Sequence, residues 1–163
     1  MAQISKTWWG QKFMHALEQF LDQGRLNRGR SYMTPYRITA FEIKNNCITA
    51  TVRGNKNAYF GVYEVPFYNV KITVTPISKE IWKKIVADLC SHADWISRLM
   101  MDEVPADIEE AFHLHGESLL PGKAKDLKTQ CTCPDYANPC KHIAGVYFRV
   151  ASLLDHDPFL IFQ

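Results

Sequence analysis

Three cysteines and one histidine near the C-terminal end constrain this chain more than any other feature. Cys131 and Cys133 are separated by one residue, and six residues later Cys140 and His142 form a second pair with the same separation. Three thiolates and one imidazole are a suitable tetrahedral ligand set for zinc. Residues i and i+2 of a strand point to the same side, so both sulfurs of the first pair can reach one ion. The spacing therefore predicts a zinc site formed by these four residues.

The second pair also predicts where the following helix begins. The apolar stripe of residues 141–154 is helical, but residues i and i+2 of a regular helix lie about 200° apart. That angle would separate Cys140 from His142. We therefore expect Cys140 at or before the first helical turn, with His142 just inside it and Pro139 suited to the helix entry.

Two alternatives compete with a metal site. The cysteines of a buried strand–turn–helix could simply be core residues, since free cysteine is commonly buried. A disulfide between Cys131 and Cys133 would close a strained ring. The chain has five cysteines and no secretory signal, which favours the cytoplasm and argues against a disulfide scaffold. Cys47 and Cys90 lie in other apolar elements, and we predict that they are small core side chains with no role in metal binding.

The remaining pattern predicts an α+β fold in which helices pack on an antiparallel β-meander. We expect one main domain over residues 1–122 and a zinc-finger segment over residues 123–163. No apolar run approaches the ~20 residues that span a bilayer. The predicted elements are an amphipathic helix over 8–23 ended by Gly24, an exposed loop over 24–32, a hairpin over 36–53 turning at Asn45 and Asn46, a strand over 67–75, a long helix over 78–101 capped by Ser78, a shorter acidic helix from Pro105 to Gly116, and a strand over 127–133.

Charge is unevenly distributed although the net charge is only +2. Residues 1–60 carry a net +6, residues 61–121 a net −5 and residues 122–163 a net +1. The basic first third suggests an anionic partner, although two oppositely charged regions can also face each other or remain solvated. The candidate nucleic-acid contacts are Arg25, Arg28 and Arg30, together with Lys141 between two zinc ligands. The lysines near the finger could equally neutralise the formal −1 charge of a Cys₃His zinc site.

No pattern of catalytic residues emerges, so we expect the chain not to be an enzyme. It has no Walker-type phosphate loop, no G-x-S-x-G elbow and no H-E-x-x-H motif. A catalytic zinc keeps one position for water, whereas four protein ligands leave none. The acidic cluster of residues 103–110 is typical of the solvated face of a helix start.

The spacing C-x-C-x6-C-x-H resembles the signature of the SWIM zinc finger, and CTCPDYANPCKHIAGVYF is similar to the bacterial members. The segments WWGQKF, GRLNRGRSY, PADIEEAF and DPFLIF extend this resemblance to bacterial SWIM zinc finger proteins over most of the chain. Residues 55–67 form a longer segment than the family leads us to expect. Family members are often longer than this chain, so we leave open an extension beyond residue 163.

The resemblance implies a small ββα-like finger with one Zn²⁺ held by Cys131, Cys133, Cys140 and His142. It also implies binding to DNA or to another protein, often beside a helicase-type chromatin-remodelling ATPase. The expected function is therefore a zinc-dependent binding module that acts on DNA or on a nucleic-acid-handling protein. The alternative is a protein–protein adaptor that docks such an ATPase without touching DNA.

Overall fold

A four-stranded antiparallel sheet and the helices packed on it make up the fold. The computed structural model describes residues 4–19 and 21–162. The strands follow one another in the order β1-β2-β3-β4, which confirms the predicted α+β class and the meander. The elements are α1 (Trp8–Glu18), α2 (Gln23–Tyr32), β1 (Ile38–Lys44), β2 (Cys47–Arg53), β3 (Phe67–Val74), α3 (Lys79–Ser91), α4 (Ala93–Leu99), α5 (Glu109–His113), β4 (Leu127–Cys131) and α6 (Lys141–Leu154).

The β1–β2 hairpin turns at the two asparagines that the sequence indicated. Asn45 and Asn46 have φ angles of 50° and 59°, the positive values that a tight two-residue hairpin turn requires. The register runs from Lys44 opposite Cys47 to Ile38 opposite Val52, with one irregularity between Ile38 and residue 40. The open end of the hairpin therefore brings residues 37 and 53 together.

Helix α6 lies at the centre of the core. Tyr147 is fully buried, and its ring stacks on Phe13 of α1 with centroids 4.0 Å apart. The Tyr147 hydroxyl donates a 2.8 Å hydrogen bond to the Phe13 carbonyl oxygen. The indole N–H of Trp9 donates to the Leu154 carbonyl oxygen at 2.9 Å. Trp9 thus fastens α1 to α6, as expected for an aromatic core anchor rather than for a free stacking surface.

The predicted exposed loop over 24–32 is wrong, because these residues form helix α2. Asp22 caps the helix by accepting a hydrogen bond from the Arg25 amide. The helix buries Leu26, Gly29 and Tyr32 against α6. Glycine at position 29 permits this close packing instead of breaking the helix. The predicted stop at Gly24 is also wrong, since α1 ends at Glu18 and Gly24 belongs to α2.

The predicted long helix over 78–101 consists of two helices. Ser78 caps α3 through its hydroxyl, as predicted, but His92 adopts φ −109° and ψ 96° and separates α3 from α4. An apolar period that continues across a break cannot reveal such a change of backbone angle. The buried side of α3 includes Ile85 and Leu89, whereas Cys90 is exposed. The prediction that Cys90 is a core side chain is therefore wrong.

The segment after residue 122 joins the same sheet and core as the segment before it. β4 pairs with β3 from Val74–Leu127 to Val70–Cys131, and α6 packs on α1, α2 and β3. The site residues on β4 and α6 are therefore held in place by β3, α1 and α2. None of the helices in the described part of the chain is long and apolar enough to cross a membrane.

Candidate metal centre

The first ligand pair lies at the end of β4. Cys131 is the last residue of that strand and pairs with Val70 of β3. The ladder continues one residue further, since the Thr132 amide donates to the Asn69 carbonyl oxygen at 3.1 Å and the Thr132 hydroxyl accepts from the Asn69 amide at 3.0 Å. The pairing therefore continues to Thr132, but the chain bends at Cys133, so the strand predicted over 127–133 ends two residues early, at Cys131.

A short loop brings the chain from the first ligand pair to the second. The Asn138 side chain fixes this loop to β4: its amide donates to the Thr129 carbonyl oxygen at 2.8 Å, and its oxygen accepts from the Thr129 hydroxyl at 2.9 Å. Asp135 accepts a hydrogen bond from the Ala137 amide and tightens the turn. These contacts place Cys140 directly beside the end of β4.

The second ligand pair lies at the start of α6, as predicted. Cys140 is the N-cap with extended φ and ψ of −96° and 176°, and its carbonyl oxygen accepts from the Ala144 amide. His142 is the second residue inside the helix. The change from extended to helical backbone between them overcomes the 200° separation that a continuous helix would impose. Both side chains are buried, with 1% and 3% of their surface exposed.

All four side chains converge on one point. Their ligand atoms lie within 4.8 Å of one another. The Nδ1 atom of His142 is 3.9 Å from the Cys131 sulfur and 3.8 Å from the Cys140 sulfur. Tetrahedral zinc with bonds of about 2.3 Å to sulfur and 2.0 Å to nitrogen would place nitrogen and sulfur about 3.5 Å apart. The donor set and its spacing therefore fit Zn²⁺, with His142 binding through Nδ1.

The thiols of the cluster change one another's pKa values through hydrogen bonds. Hydrogen bonds from the thiols of Cys131 and then Cys140 lower the pKa of Cys133 far below its ordinary value. The hydrogen bond to Cys133 in turn raises the pKa of Cys131, as does burial. Zinc binds cysteine as the thiolate, so binding of the ion would release the protons that thiols such as Cys131 keep in its absence.

Two tyrosine rings enclose the imidazole of His142. Tyr32 of α2 packs edge to face and Tyr68 of β3 packs at a tilt, each with its ring centroid 4.8 Å from that of His142. The Nε2 atom is buried and has no hydrogen-bond partner among the described residues. These rings hold the imidazole so that Nδ1 faces the sulfurs. The sequence alone did not reveal them because they come from α2 and β3, far along the chain.

The arginines of α2 lie beside the metal centre in three different environments. Arg25 forms an ion pair with Asp22 and a second one, at 3.7 Å, with Asp135 of the loop between the ligand pairs. Its hydrogen bond with Asp22 raises its pKa. Arg30 lies over the Phe148 ring at 5.9 Å and is partly buried. Arg28 is exposed and forms no ion pair within residues 4–19 and 21–162.

A further group of cations adjoins the metal centre, and of these the sequence pattern indicated only Lys141. Arg37 contacts both Tyr32 and Tyr36, with its guanidinium carbon 4.9 and 5.7 Å from the ring centroids. Arg53 lies 4.7 Å from the Tyr36 centroid. Lys141, the first residue of α6, has its ammonium nitrogen 5.8 Å from the Tyr32 centroid. We refer to Tyr36, Arg37, Arg53 and Lys141 as the cationic cluster.

An irregularity in the hairpin brings two of these arginines opposite each other. Regular pairing counted back from the Asn45–Asn46 turn would put residue 38 opposite residue 53, but the shift between Ile38 and residue 40 puts residue 37 there instead, and the Arg53 amide donates to the Arg37 carbonyl oxygen at 2.7 Å. Two like charges at opposing positions destabilise a sheet unless something compensates them. A pair of arginines at such a position is therefore a pointer to an anion.

The geometry defines a zinc-binding module, in which a strand end and a helix start supply a Cys₃His ligand set. Comparison with known families identifies this module more closely: residues 116–151 match the SWIM zinc finger. This part of the chain is a SWIM zinc finger, and the prediction made from its spacing is confirmed. Its cofactor is accordingly zinc.

The chain is also similar to an uncharacterised protein of Mycobacterium tuberculosis, Rv2102. The two are 35% identical over 158 residues, which is 97% of this chain and 54% of the relative. The chain thus spans about half the length of the relative that it matches. No solved structure matches it.

Proposed function

We propose that this protein is a nucleic-acid-binding module in which zinc has a structural and not a catalytic role. Four protein ligands complete the tetrahedral shell and leave no position for a reactive water. On this proposal the chain is not an enzyme, and zinc fixes the junction between β4 and α6. That junction determines where Lys141 lies relative to Tyr32 and the arginines.

The observation that carries the proposal is the uncompensated positive charge beside the finger. Arg37, Arg53 and Lys141 form no ion pair with a carboxylate among the described residues, whereas Arg25 and Arg98 do. Clustered cations without partners repel one another, and phosphate groups would relieve that repulsion. Exposed Arg28 adds a further cation on α2.

The zinc site itself, in contrast to the cations beside it, carries negative charge. A Cys₃His site with zinc bound has a formal charge of −1, which Lys141 can partly neutralise. Arg37 lies beside the Tyr32 ring that packs on His142, and Arg53 lies beside Tyr36. On this proposal the positive charge of the two arginines is not used to neutralise the zinc site and is available to bind phosphate.

Salt dependence of binding, measured with and without zinc, tests this proposal. We expect the zinc-loaded protein to bind DNA at low salt with an affinity that falls as salt increases, by a slope of about 0.9 per phosphate contact for duplex and 0.7 for single strands. We expect removal of zinc by a chelator to weaken that binding. The absence of binding to either form of DNA at low salt would refute the proposal.

The alternative function is that of a protein–protein adaptor. Exposed apolar side chains beyond the finger favour it: Met100 is 82%, Met101 66% and Leu114 76% exposed. The resemblance to SWIM proteins suggests a helicase-type ATPase as the partner. A chain that binds no nucleic acid but co-elutes with a purified ATPase of this type would support the adaptor.

A further inference from the structure

The cationic cluster contains an exposed aromatic ring, Tyr36, to which a phosphate group alone would not bind. Tyr36 is 63% exposed although Arg37 and Arg53 both lie near its ring. The arginine beside it is held in place: the Nη1 atom of Arg37 donates to the Gly54 carbonyl oxygen at 3.1 Å and to the Asn55 side-chain oxygen at 2.8 Å. The ring and the cation are therefore presented together on a fixed scaffold.

We infer that Tyr36, Arg37 and Arg53 form a binding site for single-stranded nucleic acid, in which a base stacks on Tyr36 and the two guanidinium groups bind the adjoining phosphates. This inference rests on the proposed nucleic-acid binding and specifies the form of the ligand. Unpaired bases stack on aromatic side chains, and arginine beside such a ring adds cation–π and phosphate contacts. In a duplex the base faces are already stacked on one another, so an exposed ring gains little.

A second exposed ring lies near the other end of α2. Tyr136, in the loop between the ligand pairs, is 93% exposed and has the guanidinium carbon of Arg25 5.9 Å from its ring centroid. Arg25 and Tyr32 are seven residues apart on α2, about 10 Å along its axis. An exposed ring beside an arginine thus occurs near both ends of α2. We assign Tyr136 as a second stacking position for the same strand.

The hairpin scaffold explains why the site is available to a ligand. Arg37 precedes β1 and Arg53 ends β2, so the site lies at the open end of the β1–β2 hairpin, where the strands leave the core. Val52, next to Arg53, is fully buried and fixes the strand beneath it. Changes to the exposed ring of Tyr36 should therefore leave the fold intact.

Fluorescence anisotropy of zinc-loaded protein tests the inference. The probe is a labelled oligo(dT) strand of about 15 nucleotides, within the range of site sizes for single-strand binders, compared with its duplex with oligo(dA). We expect tighter binding of the single strand. Tyr36→Ala should weaken it roughly 5- to 150-fold, as expected for one lost base stack, without changing the salt slope. Tyr36→Phe, which keeps the ring, should bind like the wild type.

The charged members of the site give a different result. Arg53→Ala should reduce the single-strand salt slope by about 0.7, the value for one phosphate contact. Arg98→Ala on α4 removes the same charge away from the site and should leave the slope unchanged. Equal weakening by both variants would mean that only overall charge matters and would overturn the inference.

The remaining outcomes separate this inference from the proposed function. Binding of duplex as tight as that of the single strand, or full retention of single-strand affinity by Tyr36→Ala, would overturn the stacking site but leave nucleic-acid binding intact. The absence of binding to both probes would refute the inference and the proposed function together. Thermal unfolding and zinc content of each variant establish that a lost affinity does not come from a lost fold.

Discussion

Gly29 of α2 packs directly on Ala144 of α6. A Cβ atom added at position 29 would lie 2.5 Å from the Ala144 Cβ, and one added at Gly145 would lie 2.6 Å from the Cβ of Tyr32. The two helices approach closely because each has a glycine where they meet. The crossing brings the Tyr32 ring against His142 and so connects helix packing to the metal centre.

The close helix contact predicts an unusual effect of alanine. Gly29→Ala should destabilise the protein by about 1–3 kcal/mol, the range for overpacking, although alanine is favoured over glycine inside a helix by about 1 kcal/mol. Gly24→Ala, in the first turn of the same helix, meets side-chain atoms of Asp22 and Arg28 at 3.0 and 3.4 Å, which can shift more easily than the packed backbone at Gly29, and should therefore cost less than Gly29→Ala. Urea unfolding of both variants measures the difference. A Gly29→Ala protein as stable as the control would contradict the packing described here.

The hydrogen bond of Tyr147 provides a second test of the core. Tyr147→Phe removes the hydroxyl that donates to the Phe13 carbonyl oxygen, an oxygen inside α1 that the helix itself also supplies with an amide donor. We expect the free energy of unfolding to fall by about 0.5–1.5 kcal/mol, the net value of one hydrogen bond, with zinc content unchanged because the ring stack on Phe13 remains. Urea unfolding measures the change, and an unchanged free energy of unfolding would show that this hydrogen bond adds nothing to stability.

Asp155 fastens the N-terminal segment to the end of α6. Its carboxylate accepts hydrogen bonds from the Ser5 hydroxyl, the Lys6 amide, and both the hydroxyl and the amide of Thr7. Burial raises the pKa of Asp155, but these hydrogen bonds outweigh burial and bring the pKa below the ordinary 3.8. A depressed folded-state pKa means that the stabilisation is complete above the ordinary pKa and is lost as pH falls through the folded-state value.

We therefore expect Asp155→Asn to lower the melting temperature at neutral pH. The difference between wild type and variant should shrink as the pH falls below about 4. Release of zinc in acid affects both proteins and cancels in the comparison. A difference in melting temperature that stays constant from neutral pH to below pH 4, measured by circular dichroism, would show that the charge of Asp155 has no part in the contact.

The arginines of α2 should contribute unequally to binding. Arg25 is compensated by Asp22 and Asp135, and Arg30 is partly buried over Phe148, which leaves Arg28 as the exposed cation of the three. The variant Arg25→Ala/Arg28→Ala/Arg30→Ala should then lose a duplex salt slope of about 0.9, one contact, and not three times that value. Arg28→Ala alone should give the same slope. A threefold larger loss in the triple variant would mean that all three contact phosphate.

The sequence predicted the metal centre better than its surroundings. Ligand spacing is a local property, and the helix start beside Cys140 follows from it. The strand before it was also predicted, but it ends at Cys131 and not at the predicted residue 133. The alternation around the Asn45–Asn46 turn likewise predicted the hairpin, since both the turn type and the strands are set by near neighbours. Helix α6 has its predicted bounds for the same reason.

Properties that depend on distant contacts were not predictable from local patterns. Polar residues and two glycines between positions 23 and 32 are typical of a loop, and only the α6 surface makes that segment a helix by burying Leu26 and Tyr32. The rings around His142 and the approach of Arg53 to Tyr36 also depend on contacts between separate elements. The aromatic and charged surroundings of the site therefore required the three-dimensional structure.

Zinc content of ligand variants tests the central claim most directly. Inductively coupled plasma mass spectrometry of the purified wild type should give one zinc per chain, and Cys133→Ala/Cys140→Ala should lose it together with stability, because metal binding and folding are coupled. Cys47→Ser/Cys90→Ser, which changes two cysteines outside the cluster, should keep one zinc per chain. Full zinc retention in Cys133→Ala/Cys140→Ala, or loss of zinc in Cys47→Ser/Cys90→Ser, would contradict the assignment of the metal centre.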